Sequence, residues 1–202
     1  SKFSWFNLGG PAKILFRPKN LQELSIFLKE VKETKEINEI KVLGAGSNTL
    51  IRDGGFNGII IKFGKSFSHI SLFDPNTIIA GASVLDKNVS SFALENSLAG
   101  FEFLSCIPGT IGGAVRMNSG CYKEEISNIL VSLQVIDFSG NIRVIQSSNI
   151  KFHYRGSSLD DSLIFISATF KGKKDSKSKI QEKINSFVEK KKLSQPSKIK
   201  TC

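Results

Sequence analysis

The chain is 202 residues long, 40% hydrophobic and 23% charged, and carries 28 Lys+Arg against 18 Asp+Glu for a formal charge of +10. That balance, with 16 Phe, excludes a wholly disordered chain and supplies core for one large domain or two small ones. No apolar run reaches the ~20 residues of a membrane span, and Cys106, Cys121 and Cys202 are too irregularly spaced for a disulfide framework or a zinc site. The start, Ser1-Lys2-Phe3-Ser4-Trp5, has neither an initiator Met nor a signal-peptide pattern and reads as trimmed. A reduced, cytoplasmic setting and no membrane partner are expected.

The positive charge is local. Residues 171–202 hold 11 Lys against Asp175, Glu182 and Glu189, a net of +8, which leaves +2 for the other 170 residues. A basic module binding RNA or DNA through this tail is the minor alternative. The absence of an aromatic platform or recognition motif beside the lysines predicts no nucleic-acid partner, and a solvated helix face is the simpler meaning of the charge.

In chain order, Lys13–Phe16 reads as a strand closed by Arg17-Pro18. Asn20-x-x-Glu23 resembles a capping box opening a helix with Leu21, Leu24, Leu28 and Val31 on one face. Ile40–Leu43 is a short strand and Gly58–Lys62 another, after the turn signal Asp53-Gly54-Gly55. Phe67–Phe73 and Asn76–Ala80 read as paired strands, and Ser83 as the cap of a helix bearing Leu85, Val89, Phe92 and Ala93. Ile107–Gly120 is too punctuated by Gly and Pro for a regular element. Ile129–Ile136 and Ile142–Ile145 form a hairpin with Ser139-Gly140-Asn141 at its tip, Leu163–Phe170 is a strand, and Asp175–Lys192 is an amphipathic helix with Ile180, Ile184, Phe187 and Val188 inward. Short strands outnumber helices without strict βαβ alternation, which predicts an α+β fold.

Two glycine-rich loops are the candidate chemistry. Gly44-Ala45-Gly46-Ser47-Asn48 follows a strand directly, and glycines there let the backbone approach a ligand, with successive N–H groups free to form an anion nest. Thr49 stands where a dinucleotide fingerprint needs its third Gly, and no Gly-Lys-Ser/Thr makes a Walker loop. A phosphate cradle and a tight connecting loop both fit. The second loop, Pro108-Gly109-Thr110-Ile111-Gly112-Gly113-Ala114, admits a flat ring or a pyrophosphate, or is an irregular crossover that needs Gly for its torsions. His69 and His153 have no partners at metal or triad spacing, and no metal site is expected. Arg116 suits a phosphate or a structural ion pair, Cys106 and Cys121 are given no redox role, and Trp5 and the Phe residues are most simply core.

Ser4-Trp5-Phe6-Asn7-Leu8-Gly9-Gly10-Pro11-Ala12, the run Val42–Leu50, the long stretch Gly100–Gly120 and Tyr154-Arg155-Gly156-Ser157 together resemble the signatures of the bacterial UDP-N-acetylenolpyruvoylglucosamine reductase (MurB) family, in order and over essentially the whole chain. The resemblance implies an FAD-binding domain of the vanillyl-alcohol-oxidase (PCMH) type, built of two α+β subdomains at 1–66 and 67–174, followed by a Lys-rich helix and linker at 175–202. It implies bound FAD, NADPH as hydride donor, UDP-N-acetylglucosamine enolpyruvate as substrate and a monomer. It assigns Gly44, Ala45, Gly46, Ser47 and Asn48 to the FAD pyrophosphate and Pro108, Gly109, Thr110, Gly112, Gly113 and Ala114 to the rest of the cofactor. Tyr154 and Arg155 fall to the substrate, Arg155 as the catalytic arginine. Another FAD-dependent oxidoreductase on the same fold is the alternative. Family members continue into Gly-Ser-x-Phe-Lys-Asn-Pro, whose Ser protonates the intermediate, and into a substrate domain with a late Glu. The chain stops at Cys202, before both, so turnover by these residues alone is not expected.

Overall fold

The computed structural model describes residues 3–34 and 39–195; Cys202 and the end of the expected linker lie outside them. Strand β1 (Ala12–Phe16) leads through helix α1 (Leu21–Thr34) to β2 (Ile40–Val42) and β3 (Phe56–Ile61). These strands form a three-stranded sheet in the order β1-β3-β2 with both pairings parallel, so β1-α1-β2 is a crossover unit with β3 inserted between its strands. This is a single β-α-β crossover, at the start of an otherwise α+β chain without strict alternation. Asn20 caps α1 by accepting from the Glu23 N–H (2.8 Å). Glu23 does not close the box on Asn20 but reaches back one residue further, to the Lys19 N–H (2.5 Å).

The chain then makes β4 (Ile70–Asp74) and β5 (Thr77–Gly81), α2 (Asp86–Glu95), β6 (Leu98–Ala99), a 3₁₀ turn at Glu102–Cys106 and α3 (Ile111–Arg116). Next come the small hairpin β7 (Gly120–Cys121) and β8 (Glu124–Glu125), β9 (Leu130–Ile136) and β10 (Ile142–Gln146). A second small hairpin, β11 (Phe152–His153) and β12 (Gly156–Ser157), precedes β13 (Ile164–Lys171), β14 (Lys173–Lys174) and α4 (Lys177–Ser194). The main sheet is five-stranded and antiparallel, in the order β10-β9-β13-β5-β4.

Two expectations are corrected. Ser83 does not cap α2: its hydroxyl donates to the Gly64 carbonyl (2.9 Å), and Leu85 holds the cap position without a side-chain bond. The stretch 107–120 is not wholly irregular, because Ile111–Arg116 winds into α3 despite Gly112 and Gly113. Burial of Ile111, Ala114 and Val115 outweighs the helix cost of two glycines.

Helix α1 binds the two sheets to each other. Leu24, Leu28 and Val31 are buried in one cluster with Ile59 and Ile61 of β3 and with Ile136, Ile164 and Ile166 of the main sheet. Each fully buried Leu contributes about 1.5–3 kcal/mol. Phe27 stacks on Phe16 (centroids 3.7 Å). On the polar side Ser25 Oγ donates to the Gly140 carbonyl (3.0 Å) and Lys32 Nζ to Ser139 Oγ (2.8 Å), which pins the tip of the β9–β10 hairpin.

The larger core lies beneath the main sheet and includes Phe101, Phe103, Leu104, Val115, Phe170 and, from α4, Phe187. Not every Phe is core: Phe73 on the edge strand β4 is 73% exposed. Helix α4 is capped by Ser176, which accepts from the Lys179 N–H (3.4 Å). It buries Ile180 and Phe187 and leaves most of its lysines to solvent. Lys183 and Lys191 are half-buried exceptions. Lys183 bridges two carboxylates. Its ammonium lies 3.5 Å from Glu102, a carboxylate only 1% exposed, and 2.5 Å from Glu124. Burial alone would lower the Lys183 pKa, but the two carboxylates outweigh it and hold the ammonium above its ordinary value.

Lys183→Met is expected to cost about 1–3 kcal/mol, because Glu102 keeps only the Gly100 N–H (2.9 Å) as a partner. Urea unfolding of the single variant and of Lys183→Met/Glu102→Gln checks this. The double variant should recover part of the loss, and equal midpoints for wild type and Lys183→Met would show the pair to be idle.

Candidate functional site

Strand β2 delivers the first loop. Leu43 N–H still bonds the Ile61 carbonyl (2.9 Å), and then the backbone leaves the sheet. Among the described residues, no N–H of 44–48 donates to a backbone carbonyl, and residues 47 and 48 form the hydrogen-bonded turn that closes the loop. Five consecutive donors, Gly44 to Asn48, therefore have no main-chain partner, which buried backbone rarely tolerates and an anion satisfies. Lys62 Nζ donates to the Gly44 carbonyl from below. Burial, and secondarily Arg17, pulls that ammonium below its ordinary pKa. Gly46 has φ +74°, and its carbonyl accepts from Trp5 N–H (3.2 Å). A Cβ there would come within 3.0 Å of the Phe3 carbonyl, so the opening segment packs directly behind the loop.

The second loop is laid against the chain before α2. Ile111 N–H bonds Val84 O (2.9 Å), Gly112 N–H bonds Ala82 O (2.9 Å) and Asp86 N–H bonds Gly109 O (3.2 Å). Most glycines of the two loops are bare because protein occupies the space. A Cβ on Gly109 would lie 2.6 Å from Asp86 Oδ2, one on Gly112 3.1 Å from Ala82 Cβ, and one on Gly44 2.5 Å from Thr110 Oγ1. Only Gly113 opens outward, its nearest neighbour being Thr110 Oγ1 at 3.9 Å. The Gly44–Thr110 approach brings the two loops together.

Two cavities meet at that approach. One, of about 410 Å³, is walled by Phe63, Phe138, Leu163 and Phe165. The other, of about 990 Å³, runs past Trp5, the 45–49 backbone, the 105–109 turn and the β7–β8 hairpin to the end of α4. Val42, Gly44, Ala45, Thr110, Gly113 and Arg116 line both. Of the residues singled out in the sequence, Gly44, Ala45, Thr110 and Gly113 sit at the junction and Gly112 on the smaller cavity. Gly46, Ser47, Asn48, Pro108, Gly109, Ala114, Tyr154 and Arg155 line the larger.

Tyr154 and Arg155 form the tip of the β11–β12 hairpin, where Arg155 has φ +59° and Tyr154 is 90% exposed. A non-glycine residue in the left-handed region is strained by about 1–3 kcal/mol and persists where its surroundings fix it. Here the Arg155 guanidinium donates to Asn48 Oδ1 (2.8 Å), which ties the hairpin to the first loop across 107 residues of sequence. Tyr122 and Lys123, between β7 and β8, both have positive φ (53° and 69°), and the Tyr122 ring packs on Phe187 of α4 (5.1 Å).

Arg116 has a structural task. It donates to the carbonyls of Leu159 (3.2 Å), Asp160 (3.1 Å) and Leu163 (2.6 Å), pairs with Asp161 (3.5 Å) and lies over the Phe165 ring (4.2 Å). Burial pushes the Cys121 thiol up to about 12, so it is no thiolate at neutral pH. Trp5 is half-buried on the larger cavity rather than in the core. His69 and His153 are exposed. Among the described residues no His, Cys, Asp or Glu grouping suits a metal ion, and no helix is long and apolar enough to cross a membrane.

Sequence reading missed three parts of this wall. Lys191 and Lys192 reach it from the last turn of α4, Lys191 Nζ donating to the Cys106 carbonyl (2.5 Å). Asp86 is fully buried beside Gly109, and burial pushes its carboxyl well above the usual carboxylate range. The 118–125 hairpin closes one side. Only the glycine density beside that hairpin gave any signal.

The fold and its paired loops define an α+β flavin-binding domain, and the chain belongs to the FAD binding domain family, which matches residues 12–146. Within that class it is similar to the UDP-N-acetylenolpyruvoylglucosamine reductase of Pelagibacter ubique (strain HTCC1062), at 50% identity over 200 residues, 99% of this chain and 65% of that protein. It is also similar to the enzyme of the same name from Rickettsia akari (strain Hartford), at 41% identity over 198 residues, 98% of this chain and 66% of that one. The crystal structure of UDP-N-acetylenolpyruvylglucosamine reductase (MurB) from Thermus caldophilus superposes with a TM-score of 0.82 at 28% identity, covering 97% of this chain and 68% of that one. The chain thus spans just under two thirds of the length of the first two relatives. Its residues fit FAD, for the unpartnered N–H row suits a diphosphate and the two cavities suit the groups on either side.

Gly44→Ala is expected to force the loops apart at a cost of about 1–3 kcal/mol, since the added methyl has no free volume. Adding Thr110→Ala removes the clashing Oγ1 and leaves Thr110 Cβ 3.8 Å away. Thermal unfolding should show the single variant destabilised and the double variant close to Thr110→Ala alone. A double variant as unstable as the sum of the two singles would mean that the loops do not meet here.

Proposed function

We propose that this chain is the flavin-binding part of a UDP-N-acetylenolpyruvoylglucosamine reductase, which reduces UDP-N-acetylglucosamine enolpyruvate to UDP-N-acetylmuramate in the cytoplasm, for peptidoglycan precursor synthesis. NADPH is the hydride source in this reading, and bound FAD supplies the chemistry of accepting a hydride and passing it to the enolpyruvyl group. The observation that carries it is the row of N–H groups at 44–48 without main-chain partners, which begins where Gly44 meets Thr110 of the second loop. The reading divides the chain into subdomains at 1–66 and 67–174, with 175–202 leading towards the substrate-binding region.

The roles follow from placement. Gly44, Ala45, Gly46, Ser47 and Asn48 hold the diphosphate through backbone donors, a fixed array that needs no counter-charge from a side chain. Gly113 gives bare backbone at the junction, and Pro108, Gly109, Thr110, Gly112 and Ala114 complete the walls. Arg155 is the catalytic cation. Hydride addition to the enolpyruvyl double bond leaves negative charge on the carbon bearing the carboxylate, and a guanidinium fixed before the reaction offsets it. The bond to Asn48 ties Arg155 to the wall of the larger cavity. Tyr154, almost fully exposed beside it, meets substrate in this reading, which its exposure supports.

The purified chain should take up FAD at one per polypeptide and release it unmodified on heating. A chain that stays colourless in excess FAD contradicts the reading. In the full-length protein, Arg155→Met should keep its FAD while kcat for the enolpyruvyl substrate falls by about 100-fold or more, the scale of losing one transition-state donor. A stopped-flow trace separates the steps: reduction by NADPH should be near normal and reoxidation by substrate slow. Normal reoxidation in this variant would remove Arg155 from the chemistry.

A further inference from the structure

The wall of the larger cavity holds a group that the reading so far leaves idle. Asp86 stands at the first position of α2, is 0% exposed, and has no hydrogen-bond partner on either carboxyl oxygen. One turn on, the Ser90 hydroxyl is 2% exposed and equally unpartnered. The fold makes room for the carboxyl: Gly109 is bare because a Cβ there would lie 2.6 Å from Asp86 Oδ2. Burying an unpaired carboxyl carries a cost that an apolar side chain of similar size would not, and burial has already raised the pKa of this one. A buried carboxyl with no partner in the wall of a cleft is a candidate binding group.

We propose that Asp86 is a further cofactor-binding residue, its carboxyl serving as the hydrogen-bond partner of an N–H or hydroxyl on the flavin half of FAD. The inference rests on the FAD reading above. The half is chosen by placement: Asp86 lines the larger cavity, with Tyr154 and Arg155, and not the smaller one. Hydride transfer beside Arg155 requires the reactive ring in that same cavity. The ADP half then lies from the loop junction towards Phe63, Phe138 and Phe165.

The test titrates FAD, FMN and ADP into ligand-free wild type, Asp86→Leu and Asp86→Asn, with a thermal melt of each protein before ligand. Asp86→Leu should bind FAD and FMN about tenfold more weakly or worse, the scale of losing a hydrogen bond to a buried polar group. ADP affinity should stay within about twofold, and the ligand-free Tm should match or exceed wild type. Asp86→Asn, which can still accept from the ligand, should bind FAD nearly as wild type does. FAD affinity unchanged in Asp86→Leu overturns the proposal. So does a lowered ligand-free Tm with equal loss for all three ligands, since that is the mark of a packing role. Wild type that takes up no FAD defeats the FAD reading beneath and the proposal with it.

Discussion

Gly44 and Thr110 approach so closely that the first has no room for a side chain. The proposed diphosphate site depends on that contact. Apart from the turn at 47–48, the 44–49 loop is held by neighbouring segments, the Gly46 carbonyl accepting from Trp5 N–H (3.2 Å). Thr110 holds one flank, the Phe3–Trp5 segment closes on Gly46, and Lys62 grips the Gly44 carbonyl from below. The result is an array of donors fixed in place before any anion arrives, and fixed donors bind without the ordering cost a mobile loop would incur. The same contact divides the space around it into an apolar chamber and a larger, more polar one. An extended molecule with a charged centre and two unlike ends matches that division.

The rest of the architecture keeps the two loops in register. One is carried by the parallel sheet and the other is laced onto the chain between β5 and α2, so any slippage between sheets would separate them. Helix α1 prevents slippage by burying Leu24, Leu28 and Val31 against both sheets at once. On the far side α4 does related work: Phe187 sits under the strained Tyr122 turn, and Lys183 joins the buried Glu102 to Glu124 on the hairpin that lines the larger cavity. The terminal charge that dominated the composition is mostly a solvated helix face, with a few lysines employed as struts.

Much of this was legible in the residues, and the failures have physical causes. Strands with strong β-branched runs, such as Ile164–Lys171, and the amphipathic face of α1 announced themselves through periodicity. Helix α3 did not, because its glycines obey a packing demand from Ala82 that no local pattern records. Ser83 looked like a cap because caps are local, yet its hydroxyl found Gly64, 19 residues away. At the candidate site the glycine spacing pointed to close approach of a ligand, whereas Gly44, Gly109 and Gly112 are bare to admit other protein atoms and Gly113 alone of the four has no such neighbour closer than 3.9 Å. Asp86 left no trace in the sequence, since a lone acidic residue at a helix start is ordinary there. Arg116, equally open between phosphate and structure, is settled by three carbonyls that no spacing rule foretold.

The central claim is that the backbone of 44–48, presented by the loop junction, is what receives the diphosphate. Backbone amide NMR of the isotopically labelled chain during titration with FAD measures this directly. The amide resonances of Gly44 to Asn48 should move downfield and gain protection from hydrogen exchange, more than any other stretch of comparable length, and ADP alone should reproduce most of the change. A saturated FAD complex in which these five amides neither shift nor gain protection would contradict the account.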